Sequence, residues 1–319
     1  MNLLEEREYY KPFIYPWAFE KYKKQQQMHW LPDEVPLQDD IKDYNQKLSA
    51  DERLLIDNIF RFFTQADVDV CCGYAKHYLP TFKQPEIRMM LVSFAAMEAV
   101  HQEAYSLLLE TLGKSDDMYQ EFFDIQAMSD KHDYLTDFSM ETKHDIAKTM
   151  AVYSGFTEGV QLFSSFAILL NYPRHNLMKG MGQIVTWSIR DESLHVEGLS
   201  ELFRTFMREN PELWTDKLKY EIYCAAERTV ELEDNFIDVC FNKVTVPDLT
   251  AREVKEYIRY IADRRLLGLG MKAIFKSTVN PLPWIDMQVN AVEHTNFFEN
   301  RATEYAKAST QGNWQDVFK

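Results

Sequence analysis

LVSFAAMEAVHQEAYSLLL (91–109) and VTWSIRDESLH (185–195) decide how this chain is read. Both stretches are strongly apolar, yet each holds a glutamate followed three residues later by a histidine. These are Glu98 and His101 in the first, and Glu192 and His195 in the second. At 3.6 residues per turn an i,i+3 pair lies about 60° apart on a helix, so each pair presents an oxygen and a nitrogen to one point. Two further apolar stretches carry a lone acid: Asp67 in FRFFTQADVDVCCGY (60–74) and Glu158 in MAVYSGFTEGVQLFSSFAILL (150–170). Burying an isolated carboxylate costs several kcal/mol unless a cation or donor compensates it. Along the chain the order is carboxylate, Glu-x-x-His, carboxylate, Glu-x-x-His, which is the ligand set of a two-metal carboxylate site inside a ferritin-like helical bundle. Four carboxylates balance two divalent cations, so the filled site is neutral and can be buried.

Neighbouring residues are weighed against the same pattern. Asp69 competes with Asp67, but two positions along a helix turns it to another face, and Asp67 is preferred. A third Glu-x-x-His, Glu141–His144 in SMETKHDIAK, is crowded by Lys143, Asp145 and Lys148 and reads as a solvated helix start. His29 and His77 read as structural. Tyr105 follows His101 by four residues and shares its face, so oxidised metals beside it could withdraw an electron and a proton from the phenol.

The rest of the chain supports an all-α fold. Apolar periodicity predicts helices over 51–79, 87–113, 144–171, 178–209, 214–243 and 251–276. Ser49 ahead of ADERLL and Thr250 with Glu253 three residues on mark two of their starts. Several of these stretches are long, as in a bundle. Residues 1–50, with Pro12, Pro16, Pro32 and Pro36, read as an irregular N-terminal arm on a single helical domain spanning 51–286. Residues 287–319 read as a flexible tail whose Trp314, Val317 and Phe318 suit a partner. Only 10 of 319 residues are glycine, against a usual share of about 7%, which disfavours sheet-rich and glycine-loop nucleotide folds. Lys and Arg total 35 against 50 Asp and Glu, and this net charge of −15 argues against nucleic acid and anionic membranes as partners. No segment approaches 18 uninterrupted apolar residues. The N-terminus lacks the basic-then-apolar pattern of a signal peptide, and the four cysteines have no zinc or disulfide spacing. A cytoplasmic protein is expected.

At this point the sequence resembles a known family, the small, radical-generating subunit of class I ribonucleotide reductase. MEAVHQEAY (97–105) is similar to that family's Glu-x-x-His-x-x-x-Tyr helix, and IRDESLH (189–195) to its Arg-Asp-Glu-x-x-His helix. The spacing from Asp67 to Glu98 also matches and decides for Asp67 over Asp69. HWLPDEV (29–35), NPLPWID (280–286) and the tail with Glu299 and Tyr305 extend the likeness over nearly the whole chain. The resemblance implies Asp67, Glu98, His101, Glu158, Glu192 and His195 as metal ligands and Tyr105 as the radical site. It implies a radical route through Asp191 and Trp30 to Tyr305, assisted by Glu299. The cofactor would be two iron ions, or a manganese or mixed pair. The partners would be the large catalytic subunit, docked through the last residues NWQDVF, a second copy in a homodimer, and an activating flavoprotein. Retention of Tyr105 and of all four carboxylates separates the chain from family sub-types that lack them, while Leu162 and Ser188 depart from better-known members. Two other readings stay open on the residues alone. One is a related dimetal oxidase with Tyr105 a bystander; the other is a non-enzymatic helical protein whose buried acids are satisfied by Arg190.

Overall fold

The computed structural model describes residues 2–289 other than 137 and 243. Among these the chain is helical, with no β-strand beyond an isolated bridge between Val246 and Leu249. No described helix is long and apolar enough to cross a membrane. Contacts divide the chain into Met1–Leu282 and Pro283–Lys319; in the second unit residues 283–289 are described and helical. The principal helices of the first unit are α1 (Pro16–Gln27), α2 (Gln38–Gln46), α3 (Ala50–Gly73), α4 (Pro85–Thr111), α5 (Gln126–Thr136), α6 (Lys143–Val152), α7 (Phe163–Arg174), α8 (Lys179–Glu209), α9 (Asp216–Phe241) and α10 (Ala251–Gly268). Helix α3 packs on α4, α4 on α8, and α8 on α6 and α7, so the segments that carry the candidate ligands enclose one interior volume.

Helix starts follow local chemistry. Ser49 Oγ accepts the Glu52 N–H at 3.2 Å while the Glu52 carboxylate accepts the Ser49 N–H at 2.9 Å, and Thr250 and Glu253 do the same for α10. Each box satisfies donors that a helix start leaves open. The start of α8 is capped from far away in sequence: Asp40 accepts the Gly180 and Met181 N–H groups at 3.1 and 2.7 Å, and Asp43 accepts the Met178 N–H at 2.9 Å. Carboxylates placed at this terminus also complement the helix dipole, and they fix the 31-residue helix that carries Glu192 and His195.

Three expectations are corrected. The first fifty residues are irregular only in part, since residues 2–15 hold no helix but α1 and α2 follow. Pro16 stands in the first turn of α1, where its missing N–H is no loss, and Pro32 and Pro36 fall between the helices. Helix α10 ends at Gly268 instead of 276. Gly270 there has a φ of +81°, and Asp263 accepts the N–H groups of Ile274, Phe275 and Ser277, folding the following chain back. The stretch 144–171 is not one helix but is interrupted by a π turn, Tyr153–Thr157, and a non-helical turn up to Leu162. Periodicity misses this break because both sides stay apolar. Its local signal is the pair Gly155 and Gly159: a Cβ at Gly159 would collide with the Gly155 carbonyl.

Candidate metal centre

Asp67 comes from α3, Glu98 and His101 from α4, Glu158 from the turn ahead of α7, and Glu192 and His195 from α8. None of the six is more than 1% exposed. Donor atoms of Asp67, Glu98, His101 and Glu192 lie within 4.8 Å of one another, and so do those of Glu98, Glu158, Glu192 and His195. The two sets interlock, with Glu98 and Glu192 common to both. His101 Nδ1 is 3.4 Å from Glu98 and 3.3 Å from Glu192. His195 Nδ1 is 2.9 Å from Glu98, 3.3 Å from Glu158 and 3.5 Å from Glu192. Asp69 turns away, meeting His132 Nδ1 at 2.5 Å. In the third Glu-x-x-His, Glu141 is exposed and His144 pairs with Glu221 at 2.6 Å, as a solvated helix start should.

The donor atoms fit a pair of cations. Both oxygens of Asp67, Glu98 and Glu158, one of Glu192, and Nδ1 of each histidine lack a hydrogen-bond partner. Buried polar atoms are rarely left so, and this many at one point call for positive charge. Oxygen-rich sites with two imidazoles suit iron or manganese. The electrostatics show the same strain. Burial pushes the Asp67 carboxyl well above its usual range, helped by the charge of Glu98. Burial likewise raises Glu158 to about 7. Burial also acts on Glu98, but the two facing imidazoles, with Nδ1 at 2.9 Å for His195 and 3.4 Å for His101, outweigh it and hold Glu98 at about 2. Both imidazoles are raised well above their ordinary value because the facing carboxylates overcome burial, Asp191 foremost for His101 and Glu158 foremost for His195.

One imidazole is supported from behind. His101 Nε2 is 3.3 Å from Asp191 Oδ2, which also accepts the Trp30 indole N–H at 2.8 Å, and Gln25 donates to Asp191 Oδ1 at 3.1 Å. Arg190 does not enter the acid cluster; it donates to the Met28 carbonyl at 2.6 Å and passes 3.9 Å from Asp191. Tyr105 is buried, with ring centroids 6.3 Å from His101, 4.9 Å from Phe63 and 5.6 Å from Phe60. Burial, and then the charge of Asp67, pushes its phenol well above its usual value. Leu162 is buried as well, and Ser188 sits beside the phenol. Tyr305, Glu299 and NWQDVF lie outside the described residues. Sequence reasoning missed Gln25, because the polar run KKQQQ holds no sign that α1 lays it against Asp191. It also missed a buried ion pair, Lys131–Glu233, closed at 2.5 Å between α5 and α9.

Residues 7–281 match the family described as ribonucleotide reductase, small chain. The chain is 46% identical to a protein of Invertebrate iridescent virus 6 described as a probable ribonucleoside-diphosphate reductase small subunit, over 100% of this chain and 99% of that one. The ribonucleotide reductase R2 subunit from Clostridium botulinum matches with a TM-score of 0.80 at 22% identity, covering 86% of this chain and 88% of that chain. The dimanganese(II)-NrdF of Streptococcus sanguinis matches with a TM-score of 0.76 at 23% identity, covering 88% and 99%. At such identities these two structures establish a common fold.

Proposed function

The chain belongs to the ribonucleotide reductase small-chain family, and from that premise we propose that its buried carboxylate–imidazole site generates the radical with which a large subunit makes deoxyribonucleotides. The observation that carries this reading is the pair of interlocking ligand sets sharing Glu98 and Glu192. In it Asp67 and His101 would hold one ion and Glu158 and His195 the other, with Glu98 and Glu192 common to both groups of donors. Two iron ions are the favoured occupants, and a manganese or mixed pair suits the same ligands. When bound, the pair would supply one-electron oxidising power drawn from dioxygen or a reduced-oxygen species, to which the Tyr105 phenol would give up an electron and its proton to become a tyrosyl radical.

The chain's own groups do the rest. Asp191 accepts the His101 Nε2–H, keeping that proton on Nε2 and turning the Nδ1 lone pair toward the carboxylates. The same carboxylate stands 2.8 Å from the Trp30 indole nitrogen, ready to hold its proton when Trp30 is oxidised. Phe60 and Phe63 exclude water from the Tyr105 ring. Trp30 and Asp191 form the inner part of a route that continues at Tyr305, with Glu299 assisting, on a tail that docks the large subunit. The working form in this reading is a cytoplasmic homodimer, with an activating flavoprotein as a further partner.

The test is electron paramagnetic resonance after aerobic reconstitution with iron(II), and separately with manganese(II). An organic radical is expected that is absent from Tyr105→Phe. An unchanged radical in that variant removes Tyr105 from the role. Nucleotide reduction is expected only when the large subunit is added.

A further inference from the structure

Glu158 is the one residue of the six that does not sit on a regular α-helix. Ahead of it the Tyr153–Thr157 segment is wound as a π turn, and the Glu158 N–H reaches back five residues to the Tyr153 carbonyl at 3.1 Å. The Gln161 N–H reaches Phe156 in the same way at 3.1 Å, and the Phe163 N–H closes on Val160 at 3.0 Å instead of on Gly159. Carbonyls displaced from the helical ladder need other donors when buried. Two cations from opposite helices supply them. Arg265 of α10 donates through Nε to the Gly159 carbonyl at 2.9 Å, and Lys131 of α5 donates to the Gln161 carbonyl at 2.8 Å.

The lysine is an unusual choice for such a task. It is fully buried, paired with buried Glu233 at 2.5 Å, with its ammonium 3.8 Å from the Phe62 ring centroid and 4.3 Å from that of Phe236. Glu233 also accepts the hydroxyl of Ser164, on the first turn of α7. One ion pair therefore grips the turn on both sides. A buried pair of this kind adds little stability over well-packed apolar residues, because desolvation offsets its attraction. Its effect here is positional. A π turn carries one residue more than an α turn, and each residue rotates the helix face by about 100°. Relaxation to a continuous helix would therefore swing Glu158 away from Glu98, Glu192 and His195.

We propose that Lys131 and Arg265 are positioning residues for Glu158: by holding the Gln161 and Gly159 carbonyls they keep the helix broken where the break aims that carboxylate into the site. This rests on the two-metal reading above. The experiment uses the full chain and manganese(II) alone, with free ion counted by electron paramagnetic resonance. Three variants, and the conservative Arg265→Lys, are compared with wild type and Glu158→Ala. Lys131→Met/Glu233→Leu removes the ion pair without stranding a charge, Arg265→Leu frees the other carbonyl, and Arg259→Leu, the control on α10, removes a half-buried pair with Asp234 and a bond to the Lys255 carbonyl. Circular dichroism establishes that each is folded.

Wild type and Arg259→Leu are expected to bind two ions. The double variant and Arg265→Leu are expected to bind the first as wild type does and the second at least tenfold more weakly, as Glu158→Ala does, with Arg265→Lys recovering part of the loss. Folded double and Arg265→Leu variants that both bind two ions with wild-type affinity overturn the proposal. If one of the two fails to fold, the other decides. Wild type that binds no pair of ions overturns instead the reading on which the proposal rests.

Discussion

The two ends of the carboxylate cluster are written in the same residues and built in different surroundings. At one end His101 is backed by Asp191, Trp30 and Gln25, and Tyr105 stands a helical turn away. At the other end His195 Nε2 has no hydrogen-bond partner, and its ring packs 4.4 Å from Phe94 and 6.5 Å from Tyr74. One acid, Asp67, rides on an unbroken part of α3; its counterpart Glu158 leaves a broken helix. A charge or proton entering the first end meets a connected polar path, whereas at the second it meets aromatic rings. The difference teaches that identical donors can be set in unlike surroundings, one imidazole backed by hydrogen-bonding groups and the other insulated by aromatic rings.

The largest expected effect tests whether the two ends share a middle. Glu98→Ala should lose both ions, while Asp67→Ala and Glu158→Ala should each lose mainly one, measured as manganese bound per folded chain. One ion held with wild-type affinity by Glu98→Ala would break the interlocking arrangement. Next comes the connected end. Trp30→Phe should load metal and form the Tyr105 radical in normal yield, yet nucleotide reduction with the large subunit should fall to background. Asp191→Asn should weaken metal binding by about 10–100-fold, the usual consequence of disturbing a group behind a ligating imidazole. Normal turnover in Trp30→Phe would take the polar path out of the radical route.

Most of this site was legible in the sequence, for a physical reason. Acids in apolar helices are expensive to bury, so Asp67, Glu98, Glu158 and Glu192 stood out, and helical spacing put each histidine beside its glutamate. The six side chains fall into two overlapping groups that share Glu98 and Glu192. The groups behind the site were less legible. Trp30 and Asp191 came only through family likeness, and Gln25 came not at all, since three separate segments meet there and no local pattern records it. The break at 153–162 was hidden because apolar residues satisfy a helix and a π turn equally. The helices α1 and α2 were hidden by prolines that lie at or outside their ends.

Proton content offers a finer comparison. Without ions Glu158 titrates at about 7 because burial disfavours its charge, burial raises Asp67 as well, and Glu98 stays ionised with a value of about 2. Below pH 7 a cation must therefore displace a proton from Glu158, whereas Glu98 has none to give. Affinity for the Glu158-end ion should rise with pH, most steeply below 7, where protons leave both Glu158 and the His195 imidazole, and less steeply above it, where His195 alone still gives one up. Protons should be released on binding, which calorimetry in buffers of different ionisation enthalpy counts. Affinity that is flat between pH 6 and 8 would mean that neither Glu158 nor the His195 Nδ1 holds a proton without metal.

The smallest effect lies in the aromatic wall of the insulated end. The Tyr74 hydroxyl is buried and finds no hydrogen-bond partner in good geometry, and burial, then the charge of Glu158, pushes its phenol well above its usual value. The Trp30 N–H at the connected end is, by contrast, firmly bonded. An unmade buried hydrogen bond costs about 1–3 kcal/mol. Deleting the hydroxyl in Tyr74→Phe should therefore leave thermal stability unchanged or raise it by roughly 1 kcal/mol, with radical yield and turnover as in wild type. A destabilisation of similar size, followed by denaturant unfolding, would mean that the phenol holds Glu158 after all. The insulated end would then have a polar support of its own, and the contrast between the two imidazoles would shrink to the identity of their partners.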